Sequence, residues 1–432
     1  MDRGKVHPVK NHVLSITLAM LLIPAAMVNA GCAKRNHTAD VTFEPRPRAV
    51  LETLGLQASW DPRLEVDTAG TLYLFAVYDQ GSKSRLGLAM SENSGDTITP
   101  PVLPISEPDV SVGSHGEQSP SVVMTRAEIY ALWQELGADG SSKIMSARSL
   151  TWGETFDAPR QVSDKGAPLY RGFPSISVSP NGDVYAAWLD ERDASKPDQE
   201  TSSVYLAKST DRGATFGKNV RVADQTCPCC RPSLAFDANG QVFVAWRRVF
   251  PGEIRDIVVS TSQNGGETFA PPVRVHEDGW KIDGCPDSGP VLAESNSSLW
   301  IAWMTAGTNN RARILLSHSD DGGQAFKDPV VVSGNVVDAN HPTMKAGKDG
   351  TLWLVFQGRT PSTSGNWNKS RAYLVQIDRY GNSSQPFPIP GSNNSISYPK
   401  IAIGNEGQLF LAWTQPQGDH FTVMLSRGRE RK

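Results

Sequence analysis

The 432-residue sequence is sparing with charge, with cysteine and with long apolar runs. Charged residues make up 20% of it, and 42 Lys plus Arg stand against 45 Asp plus Glu, for a net charge of −3. That balance argues against an extended polyanion-binding surface, and so against nucleic acid as a partner. It also argues against a disordered acidic chain. No Gly-rich phosphate loop, His-Glu-x-x-His helix or nucleophile elbow is present, which removes the most recognisable nucleotide, zinc-protease and hydrolase signatures. What the chain has instead is 38 Gly and 30 Pro, together about 16%, above average usage but below collagen-like or low-complexity levels. Turn-rich β structure follows. The length allows two to four ordinary domains or one large repeat structure.

The one extended apolar stretch runs from about Val13 to Val28, behind Arg3, Lys5 and Lys10. Ser15, Thr17 and Pro24 interrupt it, which makes it marginal as a membrane span. A basic start, a short apolar centre and small residues before a break describe a secretory signal. Ala30-Gly31-Cys32 resembles a bacterial lipobox, which implies that Cys32 carries lipid at the start of the mature chain. The expected organisation is therefore a signal peptide over 1–31, a tether over 32–48 and a single domain over 49–432. The expected address is the bacterial cell envelope, with the protein lipid-anchored to the membrane and facing the periplasm or exterior. Plain secretion after cleavage near Ala30 is the alternative.

A unit recurs along almost the whole mature chain. A Pro opens a short apolar strand, and about fourteen residues later a second strand ends in Ala-Trp or a close variant. The units run Pro62 to Ala76, Pro120 to Trp133, Pro174 to Trp188, Pro232 to Trp246, Pro290 to Trp303, Pro342 to Phe356 and Pro399 to Trp413. Between the paired strands lie turn signals such as Asn181-Gly182 and Asn239-Gly240, which favour hairpins. A third strand in each unit leads to a second motif, clearest in Ser209-Thr-Asp211-Arg-Gly213-Ala-Thr215-Phe216 and in Ser262 to Phe269. Weaker copies span Ser91 to Ile98, Ser149 to Phe156 and Ser319 to Phe326.

This second motif resembles the Asp-box, or BNR repeat, of the sialidase superfamily. In it a short Asp or Asn side chain bonds turn amides, Gly supplies the unusual backbone angle, and the aromatic residue buries area between sheets. Its role is structural and does not itself imply sialidase activity. Four short strands per unit, repeated radially, form an all-β β-propeller. Seven Pro-opened units imply seven blades, with the six-bladed ring usual for sialidases as the alternative. The last unit stops after three strands, so its fourth is expected from the segment around Ala49 to Leu54.

The resemblance also implies which face carries function: residues just before each opening Pro and just after each Trp. The former are Asp61, Ser119, Phe173, Arg231, Gly289, His341 and Tyr398. The segments Cys227-Pro-Cys229-Cys230-Arg231 and Gly284-Cys285-Pro-Asp287 precede adjacent inner strands, so the four mature cysteines converge on one edge of that face. With His341 or His115, the thiolates of Cys227, Cys229, Cys230 and Cys285 offer soft ligands for copper or zinc. The other outcome is a disulfide, most simply Cys229 or Cys230 to Cys285, stapling units four and five.

Sialidases resemble one another in clamping a substrate carboxylate with arginines, for which a planar fork is suited, and in pairing a Tyr nucleophile with a Glu and an Asp acid. The candidates here are Arg231, Arg247, Arg255 and Arg359 for the clamp, with His341 as a further ligand-binding residue. Tyr398 is the candidate nucleophile, Glu117, Glu191 or Glu253 its partner, and Asp61 the acid. The family's N-terminal Phe/Tyr-Arg-Ile-Pro motif is absent, with Trp60-Asp61-Pro62 opening the first unit instead. The expected function is binding of a metal or a small anionic or glycan ligand at the cysteine-rich channel mouth. An exo-glycosidase of sialidase type and a scaffold for another envelope protein are the alternatives.

Overall fold

A computed structural model describes residues 38–431, apart from 57, 167–168, 194–201 and 363–367. The expected signal segment and Cys32 lie outside the described residues. The structure is built from short antiparallel strands and two single-turn 3-10 helices.

Each Pro-opened unit becomes one antiparallel meander. The opening strands are Ser59–Val66, Ser121–Thr125, Arg171–Val178, Ser233–Phe236, Val291–Ser295, Val337–Ala346 and Ser397–Ile403, and these define repeats 1 to 7. Repeats 3 and 4 are joined into one eight-stranded sheet by the single pair Thr226↔Arg248. The other repeats form separate sheets.

Apolar side chains alternate along these strands and therefore reach the neighbours on both sides. Each cluster of buried residues accordingly straddles one seam. Tyr73 and Trp133 join repeats 1 and 2, Tyr130 and Trp188 join 2 and 3, and Tyr185 and Trp246 join 3 and 4. Phe243 with Trp303, Trp300 with Phe356, and Trp353 with Trp413 continue the series. Leu64 and Phe410 close it between repeats 7 and 1. The core is thus a ring of seams around a central channel, the β-propeller expected from the repeat pattern.

The Asp-boxes sit at these seams. In repeat 3 the Gly213 amide donates to Ser209 Oγ at 2.8 Å, and the Thr215 amide donates to Asp211 Oδ1 at 2.9 Å. Gly213 has φ +74°, and a Cβ there would lie 2.9 Å from the Tyr130 ring of repeat 2. Glycine is thus required twice at this position, by the backbone angle and by the closeness of the preceding repeat.

The fourth strand of repeat 7 does come from the N-terminal segment, but from earlier than expected. Val41–Phe43 pairs with Gly428–Glu430, and Arg48–Ala49 pairs with Met424 and Leu425. Glu52–Leu54 is a 3-10 turn. The ring therefore begins inside the stretch assigned to the tether.

Candidate functional site at the channel

Four of the inner strands begin with the same irregularity. Asp61, Phe173, His341 and Tyr398, each directly before its Pro, have φ between +51° and +56°. The ladder slips at each: between Trp60 and Arg63, Gly172 and Ser175, Asn340 and Thr343, and Ser397 and Lys400. Non-glycine residues in this region cost roughly 1–3 kcal/mol and persist where the surroundings hold them.

Here the holder is a side chain of the preceding repeat. The Asp61 amide donates to Thr414 Oγ1 at 2.9 Å, Phe173 to Gln118 Oε1 at 2.6 Å, His341 to Ser288 Oγ at 3.3 Å and Tyr398 to Gln357 Oε1 at 2.7 Å. Bulges of this kind re-aim side chains. The residue after each Pro, such as Arg63, Thr343 or Lys400, consequently lines the channel.

The channel holds a cavity of about 150 Å³. A space of this size suits a small molecule or one end of a larger one. Its walls carry Arg63, Arg231, Lys400, Glu117, Tyr398 and Thr343. Among the described residues, none of Arg63, Arg231 and Lys400 makes an ion pair. Arg63 donates to Ser119 Oγ and to the Pro62 carbonyl. Arg231 donates to the carbonyls of Glu117, Pro174 and Ser119. Lys400 donates to Thr343 Oγ1 at 3.3 Å. Burial and the neighbouring Arg63 charge push Lys400 down to about 7, and burial and Arg231 push Arg63 down to about 9. The cations are crowded, and the carboxylates that act on them, Asp61, Glu117 and Asp287, do so without a direct ion pair.

The carboxylates pair elsewhere. Burial works against ionisation of Glu117, but the hydrogen bond and charge of His341, with Lys400 and Arg231 beyond, hold it at about 2. His341 Nδ1 lies 3.1 Å from Glu117 Oε1, and its ring meets Tyr398 edge-on at 4.5 Å. Asp287 accepts from the Glu117 amide at 3.1 Å and from the Tyr398 hydroxyl at 3.2 Å. Burial, then the Glu117 charge, raise Asp287 to about 6. The Tyr398 phenol is driven far up by burial and by Asp287. Asp61 is buried, accepts from Ser114 Oγ and is raised chiefly by that burial.

The cysteine segments border this site without lining it. Cys229 and Cys285 form a disulfide, with Cα atoms 6.1 Å apart, and Cys227 and Cys230 are buried free thiols. The bond ties together the chain entering repeats 4 and 5, directly ahead of Arg231 and Asp287. A Cβ on Gly289 would collide with the Arg231 backbone, so the two segments pack main chain to main chain. With Cys229 bonded to Cys285, those two sulfurs are not free thiolates for copper or zinc. His341 pairs with Glu117 rather than with a cysteine, and His115 is exposed.

Of the expected site residues, Tyr398, Arg231 and Glu117 line the cavity, His341 packs against Glu117 and Tyr398, and Asp61 is buried on Ser114. Arg247 does not reach the channel: it is fully buried and donates to the carbonyls of Arg255, Ser288 and Met304. Arg255 is spent on Cys227 Sγ at 3.3 Å and Glu253 at 3.2 Å. Arg359 lies 3.6 Å from Asp338 with 37% of its side chain exposed. Glu253, 52% exposed, is on Arg255 and not on Tyr398; the carboxylate on Tyr398 is Asp287. The reason is shared. Arg247 and Arg359 lie within second strands, Glu253 in the turn after one and Arg255 at the start of a third strand, where long side chains find local partners before they reach the axis, and Glu191 does not line the cavity either. Missed entirely were Arg63 and Lys400, whose signal was their place one residue after an opening Pro.

Comparison with known proteins agrees with this architecture. A family model described as a BNR repeat-like domain matches residues 118–411, about two thirds of the chain. No curated protein matches the sequence. Among solved structures, a protein of unknown function from Dyadobacter fermentans is 14% identical, with a TM-score of 0.53 over 76% of this chain and 96% of that one. A Hadza microbial sialidase is 15% identical, with a TM-score of 0.50 over 73% and 66%. An α-L-arabinofuranosidase from Fusarium graminearum is 14% identical, with a TM-score of 0.51 over 72% and 92%. At such identities the likeness is one of fold.

Proposed function

The chain belongs to the BNR repeat-like family, and from that premise we propose that it binds a small carboxylated, glycan-type ligand in its central cavity. The observation that carries this reading is the group Arg63, Arg231 and Lys400. Three cations line a common cavity, and among the described residues none of them has a carboxylate within ion-pair distance. Buried charges are costly unless paired; Asp61, Glu117 and Asp287 act on these cations only without direct contact, and an anion entering here supplies a direct partner. Arg63 and Arg231 offer planar forks and Lys400 a point charge. Thr343, Glu117 and Tyr398 add the hydrogen-bonding groups that a sugar's hydroxyls require. The lipobox-like Ala30-Gly31-Cys32 supports a reading in which the domain is tethered at the bacterial envelope through Cys32.

The test is calorimetric titration of the purified protein with glucuronate and N-acetylneuraminate beside neutral glucose. Carboxylated sugars are expected to bind and glucose to fail. Equal binding of all three, or of none, removes the proposal.

One observation favours a second reading, hydrolysis of sialidase type: the hydroxyl of Tyr398, on the cavity wall, donates to Asp287. A carboxylate in that position can take the phenolic proton as the oxygen attacks an anomeric carbon. Asp287 here holds the place expected for a Glu. Turnover of a fluorogenic sialoside, abolished in Tyr398→Phe with binding retained, is the expected result. Absence of turnover across a panel of glycosides leaves the binding reading alone.

A further inference from the structure

The cysteine cluster has chemistry of its own. The sulfurs of Cys227, Cys229 and Cys230 all lie within 4.8 Å of one another in buried surroundings. Cys227 Sγ stands 3.7 Å from Cys229 Sγ, one end of the Cys229–Cys285 bond. Arg255 Nη1 is 3.3 Å from Cys227 Sγ, and the fully buried Arg247 is bonded to the Arg255 carbonyl. Guanidinium groups beside sulfur favour a thiolate over a bound cation, and the thiolate is the species that attacks a disulfide. In Cys227-Pro-Cys229-Cys230 the free pair has Cys-x-x-Cys spacing and straddles the bonded sulfur. At the far end of the bond, Cys285 is exposed.

We propose that the four cysteines form a thiol–disulfide exchange centre, in which Cys227 opens the Cys229–Cys285 bond and Cys230 resolves the product into a Cys227–Cys230 disulfide. In the first step the Cys227 thiolate bonds to Cys229. The Cys229–Cys285 bond breaks, and its electron pair leaves on Cys285, which takes a proton from solvent. In the second step Cys230 attacks Cys227 and displaces Cys229, whose departing sulfur takes up the proton that Cys230 gives up. One disulfide and two thiols enter, and one disulfide and two thiols result, so no oxidant or reductant is consumed. The exposed Cys285 thiol is then the point at which a low-molecular-weight thiol or disulfide exchanges with the centre. Because Cys285 lies two residues before Asp287, the same step unties the segment that carries Asp287 to Tyr398.

The test is alkylation mapping of the full-length protein under air, without reductant. Iodoacetamide is added to the native protein, remaining disulfides are then reduced and marked with a second reagent, and the peptides are read by mass spectrometry. The expected pattern is iodoacetamide on Cys285 and Cys229, with the second label on Cys227 and Cys230. Cys227→Ser should slow labelling of Cys285 at least tenfold. In Cys230→Ser, Cys285 should still be labelled while Cys227 and Cys229 remain joined. Iodoacetamide confined to Cys227 and Cys230 after a day, or equal Cys285 labelling in Cys227→Ser, overturns the proposal. The wild-type map decides alone if the variants do not fold.

Discussion

Replacing Lys400 by Met removes one cavity charge while retaining an unbranched side chain. Among the described residues the side-chain hydrogen bond lost is the one to Thr343, so the fold should survive. Two unit charges 4 Å apart interact by ~4 kcal/mol at an effective dielectric of ~20. Arg63 and Arg231 remain and share the ligand, so about half of that, roughly 2 kcal/mol or about thirtyfold in affinity, is the expected loss when Lys400 is protonated. Protonation is the crux, because Lys400 titrates at about 7. An anion favours the charged form, so wild-type affinity is highest below that value and falls as pH rises through it.

The substitution should therefore matter at pH 6 and hardly at all at pH 8.5, where the wild type has already lost most of this charge. Asp287, at about 6, gains its negative charge over the same interval in both proteins and largely cancels from their ratio. Calorimetric titration with glucuronate at fixed ionic strength, at both pH values, reads that ratio. Affinities equal at pH 6, or a ratio unchanged at pH 8.5, would refute the reasoning.

Two further outcomes test the ring. Gly182→Ala and Gly213→Ala both place alanine at positive φ, but a Cβ at Gly182 meets nothing within 4 Å, whereas at Gly213 it meets Tyr130. Each should lose about 1–2 kcal/mol for the backbone, and Gly213→Ala roughly 1–3 kcal/mol more for overpacking; equal losses in urea melts would show that the seam is looser than described. Val41 is buried in the closing strand, so Val41→Asp should lower the melting temperature and, by baring the His420–Glu430 edge, promote concentration-dependent association measurable by light scattering.

The repeats were legible because each obeys local rules: a Pro that fixes the inner strand, a turn pair, a buried Trp and an Asp-box that satisfies its own amides. The disulfide was legible only as a choice, since Cys229 and Cys230 are adjacent and only the fold decides which faces Cys285. The cavity cations were hidden for a sharper reason. Strand periodicity assigns faces by alternation, and the bulges at Asp61 and Tyr398 break that alternation two residues before Arg63 and Lys400 come into place. Arg247 and Arg255 misled because the sequence does not show how many carbonyls and sulfurs already surround them.

The amide latches make the assembly of the ring and the shape of its centre a single equilibrium. Thr414 in repeat 7 holds Asp61 in repeat 1 across the junction where the chain's two ends meet, and the same bulge turns Arg63 toward the axis. A ligand that grips Arg63 therefore pulls on the clasp itself. Occupancy should tighten a seam some distance from the ligand, by RT ln(1 + [L]/Kd), and a polar residue such as Thr414, which touches no ligand, becomes a determinant of affinity.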